Sequence, residues 1–168
     1  MKYSRTVDVL KNLLDRLIAS CERCIDALLL DAEEKKQIFE RPDNVGLKAK
    51  LVKKTVQECW VEEMSEFMMF LRKINRAEFT RAREFRRNVT MTAIMDDGVV
   101  EVNIDIIKEY YERVINYVNK TDVFIYGEKE FNQVLMRKLN TTLTDILMIL
   151  PLRNLNNLNL SHYLIPRT

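Results

Sequence analysis

Residues 72–87 read RKINRAEFTRAREFRR, with seven cationic side chains, two carboxylates and two Phe. Whether the chain crosses this stretch as one helix decides both the fold and the character of the surface. At about 100° per residue, an unbroken helix gathers Arg72, Arg76, Arg83, Arg86 and Arg87 within roughly a 100° arc, with Lys73 just outside it. Phe67, Leu71, Ile74 and Phe85 then lie on the opposite side, and Phe79 stands inside the basic arc. Arginines interleaved with an aromatic ring suit phosphate neutralisation and stacking on unpaired bases. This makes Arg72, Lys73, Arg76, Phe79, Arg83, Arg86 and Arg87 a candidate nucleic-acid surface.

The same wheel contains a conflict. Glu78 and Arg81 fall on the face that should be apolar. That mismatch predicts a bend or break near residues 75–78, after which Phe79, Ala82 and Phe85 form a new inward face. The cations then divide over two surfaces, solvated or met by carboxylates of neighbouring helices. The broken reading is the favoured one.

The 168-residue chain suits one domain with a sizeable core, and its 47% apolar and 31% charged composition is globular rather than disordered. Three Gly and three Pro are too few for a turn-rich β architecture. Leu, Met, Lys, Arg and Glu runs favour helices. The expected fold is therefore mainly all-α, a bundle of four to five helices. Net charge is +2; segment 72–87 contributes +5, so the remainder sums to −3.

Upstream, Leu10, Leu14, Leu17, Cys21, Cys24 and Leu28 mark a heptad-like seam, widened by Leu13, Ile18, Ile25 and Leu29 into a core-facing stripe. This first helix offers a route to a homo-oligomer. Asp31-Ala-Glu-Glu is expected to cap a short second helix ending before Pro42, and PDNVG at 42–46 reads as a turn. A long helix is expected from Leu47 through Val52, Val56, Cys59, Trp60, Met64, Phe67, Leu71 and Ile74.

Downstream, residues 89–103 switch to β-branched types around Asp97-Gly98, which predicts a short β-hairpin insertion. Helix is expected to return over 104–118. A loop holding VFIY follows at 119–127, then a last helix over 128–150 closed by Pro151. The domain is thus set at 1–150, with an irregular Leu/Asn-rich tail, 151–168, packed on it.

Catalytic chemistry finds little support. Cys21-Glu-Arg-Cys24 lies mid-helix on the apolar seam, where buried thiols are expected to be inert; zinc would need four ligands, and only Cys59 and His162 remain. A redox CxxC belongs at a helix start. His162 lacks an orienting partner, Glu62, Glu63 and Glu66 lack the Glu-x-x-His motifs of a helical di-metal site, and no Gly-rich phosphate loop occurs. No catalytic, cofactor or metal residues are assigned, and no enzyme is expected.

The Met64, Phe67, Met68, Met69 and Phe70 cluster beside Trp60 reads chiefly as core, leaving Met68 and Met69 as candidate protein contacts. The leading expectation is a non-enzymatic helical adaptor or regulatory protein that binds another protein. The alternative is nucleic-acid binding through 72–87, joined by Lys48, Lys50, Lys53 and Lys54. A third reading, a secreted cytokine-like bundle, comes from sequons at Asn88, Asn119, Asn140 and Asn159. Against it, three Cys, no membrane-length apolar run and a charged N-terminal stretch suggest a reducing intracellular compartment.

Overall fold

The structure, a computed structural model, describes residues 6–86, 88–96 and 98–127. The expected helix 128–150, the tail, Arg87, His162, Asn140 and Asn159 lie outside the described residues. In chain order the elements are α1 (Val7–Glu34), α2 (Val45–Thr55), α3 (Cys59–Arg76), β1 (Glu78–Ala82), β2 (Thr90–Met95), β3 (Gly98–Asn103) and α4 (Ile104–Tyr126). Mostly helical, as the composition implies, the fold also carries a three-stranded antiparallel sheet of order β1-β2-β3.

Helix α1 is the central element, touching α2, α3, α4 and β2. Its whole predicted seam is buried, with Leu10, Leu14, Cys21 and Leu28 fully enclosed. Each large side chain so enclosed favours the folded state by about 1.5–3 kcal/mol relative to exposure. The seam is filled by the chain's own helices, so it presents no coiled-coil face to a second copy.

Four expectations are corrected. The short second helix expected between Asp31 and Pro42 does not form: no helix stands there before α2, and α1 runs on through Glu34, with Ala32 continuing the buried stripe. The helix ends where Lys36 adopts φ 58°, with Gln37 N–H donating to Ala32 O and Lys36 N–H to Glu33 O, both at 2.9 Å. That pair of bonds is a Schellman closure, which removes two unpaired carbonyls.

The long helix from Leu47 is two helices. Val56 and Val61 are both buried but five residues apart, a step the 3.6-residue repeat cannot keep on one face. The chain extends over Val56 and Glu58 to reset the register, which leaves Cys59 exposed. Asn44 starts α2 by accepting from the Gly46 and Leu47 N–H groups, a side-chain cap.

Helix α3 stops at Arg76, within the stretch where the break is predicted, but a strand follows rather than a second helical segment. Finally, α4 continues through 119–126 instead of looping. Val114, Tyr117 and Thr121 keep helical spacing, the Thr121 hydroxyl donates to Tyr117 O at 2.9 Å, and Gly127 at φ 79° closes the end.

The predicted hairpin is present as β2 and β3, joined at Gly98, whose φ of 143° favours glycine. Met91, Ala93 and Val102 point inward and are buried, whereas the Ile94–Val99 pair faces out. Phe79 and Arg81 pair with Ala93 and Met91, so both lie on the inward row of β1.

Candidate protein-docking groove and the Arg-rich segment

Segment 72–87 is spread over three elements, and its cations do not form one stripe. Arg72 pairs with Glu22 of α1 and is half-buried. Lys73 and Arg76 occupy the last turn of α3, exposed, where cations complement the helix dipole. Phe79 is half-buried against the core, with Lys11 Nζ 4.4 Å above its ring and the Arg81 guanidinium 5.5 Å away. Arg81 donates to both Asp8 carboxylate oxygens, at 2.9 and 3.1 Å, and to Glu84 at 3.3 Å. The Asp8 hydrogen bond in particular holds the Arg81 pKa above its ordinary value.

The β1–β2 turn behaves differently. Arg83 and Phe85 have φ of 54° and 62°, and Arg86 N–H donates to Arg83 O at 3.3 Å. Glu84 anchors the turn by accepting from Val7 N–H at the start of α1, 3.3 Å away. Phe85 is 75% exposed, contrary to its predicted place on an inward face, and Ala82 is exposed too. The strand explains this: alternation sends Ala82 outward, and the turn lifts Phe85 off the sheet. Among the described residues Arg76, Arg83 and Arg86 make no ion pair.

Met68 and Met69, adjacent in sequence, part company. Met68 is fully buried, so it belongs to the core and is withdrawn as a contact residue. Met69 is 41% exposed. It lines an open hollow of about 540 Å³ between α2, α3 and the end of β2. Ala49, Phe70 and Met95 complete an apolar floor, and Lys50, Lys53, Lys73 and Glu66 also line it. Lys53 Nζ stands 3.0 Å from Glu66 and 3.6 Å from Glu62. A second hollow of about 520 Å³ adjoins the first through shared Lys73 and Met95 and continues to Ala77 and Ile94.

Sequence reasoning missed this trough because it joins the lysines of α2 to Met69 of α3 across a helix break it did not foresee. Its forewarnings were Met69, singled out as a candidate contact, and the spacing of Lys50 and Lys53, one turn apart on one side of α2.

The cysteines show no reactive arrangement. Burial pushes the Cys21 thiol up to about 12 and raises Cys24 as well. A thiol so disfavoured as thiolate is a poor nucleophile and a poor ligand. Among the described residues, no group of three His, Cys, Asp or Glu side chains is placed to hold a metal ion. Nor is any described helix long and apolar enough to cross a membrane.

Comparison of the chain with protein-family models, curated proteins and solved structures finds no match in any of the three.

Proposed function

We propose that this protein is a non-enzymatic helical adaptor that works by binding another protein in the trough between α2 and α3. The observation that carries the reading is the open apolar floor, with Met69, 41% exposed, among its lining residues. A methionine side chain adapts to a partner's shape, and a hollow this size lies in the range that accepts a cluster of side chains. A photo-crosslinking amino acid at position 69 tests it in the native host, with the same group at exposed Glu112 on α4 as control. The expected result is one discrete protein adduct from position 69 and none from 112. Equal adducts, or none from 69, reject the reading.

A second reading is nucleic-acid contact at the β1–β2 turn, favoured by exposed Phe85 standing between the unpaired Arg83 and Arg86. Its signature is binding of single-stranded RNA or DNA that weakens steeply with salt and is lost on Phe85→Ala. No mobility shift at low salt removes it.

A further inference from the structure

We infer that two copies of this chain associate through a peg and a hollow, with Phe39 of one copy seated in the cleft between α1 and the first turns of α4 of the other. This contact shares no residue with the α2–α3 trough and does not depend on the docking reading above.

The peg is fixed in place. Beyond the closure of α1 at Lys36, Ile38 packs against the core, and Arg41 Nε stands 2.7 Å from Glu33 in the last turn of α1. Asn44, capping α2, holds the other end of the connection. Phe39 lies between these anchors and is 104% exposed, more than any other large apolar side chain among the described residues. A ring carried on a pinned loop loses little freedom when a surface covers it, and buried aromatic anchors supply much of the affinity of protein interfaces.

The hollow, of about 400 Å³, lies on the N-terminal half of α1. Leu13 and Leu17 of α1 and Ile104, Ile107 and Tyr111 of α4 line it, and Tyr111 is 54% exposed. A hollow in this size range accepts a phenyl ring with a neighbouring side chain, and Tyr111 offers that ring an aromatic partner. The same chain's Phe39 cannot fill it. From Ser20 to Glu34 α1 carries the chain about 21 Å away, and the loop bearing Phe39 is pinned at that far end. A peg and a hollow set apart on one molecule meet between molecules.

Charge agrees with this pairing. Among the described residues, neither Glu40, next to the peg, nor Arg16, on the wall of the hollow, makes an ion pair. No described carboxylate lines the hollow, and its second cation, Lys108, already stands 3.8 Å from Glu112. Seating Phe39 brings Glu40 to the rim that carries Arg16, so each copy supplies the charge the other lacks.

Sedimentation velocity on the full chain, in a concentration series reaching about 500 μM, tests the contact. Wild type is expected to self-associate, and Phe39→Asp and Tyr111→Asp should each weaken association at least about thirtyfold. Neither replaces a buried side chain, so the circular dichroism of both should match wild type. Mixed in equal amounts, the two variants should form a heterodimer, because the first keeps its hollow and the second its peg. Glu40→Arg should weaken association, and adding Arg16→Glu to the same chain should restore it. A wild type that stays monomeric throughout overturns the proposal, as does association that survives Phe39→Asp. No recovery in the mixture, or none in the charge swap, overturns it too and gives the peg and the hollow to other partners.

Discussion

Phe67→Ala should be the most damaging single truncation on the seam between α3 and α4. The Phe67 ring is 4% exposed and stands edge-on to Tyr110, with centroids 5.3 Å apart at 76°. Tyr117 lies 6.2 Å from it and Phe70 6.5 Å, and the Arg113 guanidinium sits 4.4 Å over the ring. Losing a buried phenyl ring and leaving its cavity costs about 3–5 kcal/mol. Edge-to-face pairing adds about 0.5–1.5 kcal/mol, and the cation over the ring about 0.5–1 kcal/mol. Because Tyr110 and Arg113 can relax toward solvent, the lower end of the summed range applies, about 4 kcal/mol. For a chain this long, that lowers Tm by roughly 12 °C. Phe67→Leu keeps most of the volume and should lose only about 1–2 kcal/mol.

Urea denaturation followed by circular dichroism measures both changes. A double-mutant cycle of Phe67→Leu with Arg113→Met should return a coupling of about 0.5–1 kcal/mol. A Phe67→Ala loss below about 1.5 kcal/mol would refute the claim that this ring organises the seam. A coupling of zero would remove the cation from the account.

The remaining predictions concern the cysteines. A disulfide reagent added to native protein should modify exposed Cys59 at once and reach buried Cys21 and Cys24 only as the chain unfolds; three thiols reacting together would contradict the burial. Stability should also fall at alkaline pH. Burial raises the Cys21 pKa from 9.0 to about 12, so the fold favours the neutral thiol. Its contribution is complete below pH 9 and disappears as pH rises to about 12. Tyr110 and Tyr117, raised from 10.0 mainly by burial, act in the same direction. Cys21→Ala should flatten the decline in urea midpoint between pH 9 and 11, and an undiminished decline would show that Cys21 ionises freely in the fold.

How much of this was legible in the sequence depends on how far apart the determining residues lie. The α1 seam could be read because its period is local and every member meets the same core. The hairpin could be read because Gly98 and its β-branched flanks fall within a dozen residues. The α2–α3 break was hidden because Cys59 and Trp60 fill apolar wheel positions, while the residue that goes inward is Val61. The run of α4 past residue 118 was hidden because Asn119 and Thr121 look like loop residues, although Thr121 satisfies its own hydroxyl on the preceding turn.

The Arg-rich segment shows why linear charge density is a weak guide to a surface. Both the break and its approximate place followed from Glu78 and Arg81 lying on the wrong side of a wheel. What came next did not, because strand β1 is stabilised by a partner, β2, that lies later in the chain. Once residue 77 turns extended, period two replaces period 3.6 and reassigns every side chain: Phe79 and Arg81 turn in, while Thr80 and Ala82 turn out. Arg81 can occupy the inward row only because Asp8, in the first turn of α1, waits at the end of the sheet. That ion pair is exposed and contributes little by itself. Its consequence is positional: it holds the β1–β2 turn against α1, with Glu84 on the Val7 amide, and so fixes Phe85 outward. Of the seven cations in these sixteen residues, Arg72 and Arg81 thus become structural anchors, Lys73 and Arg76 end α3, and Arg83 and Arg86 sit on a projecting turn, while Arg87 lies outside the described residues.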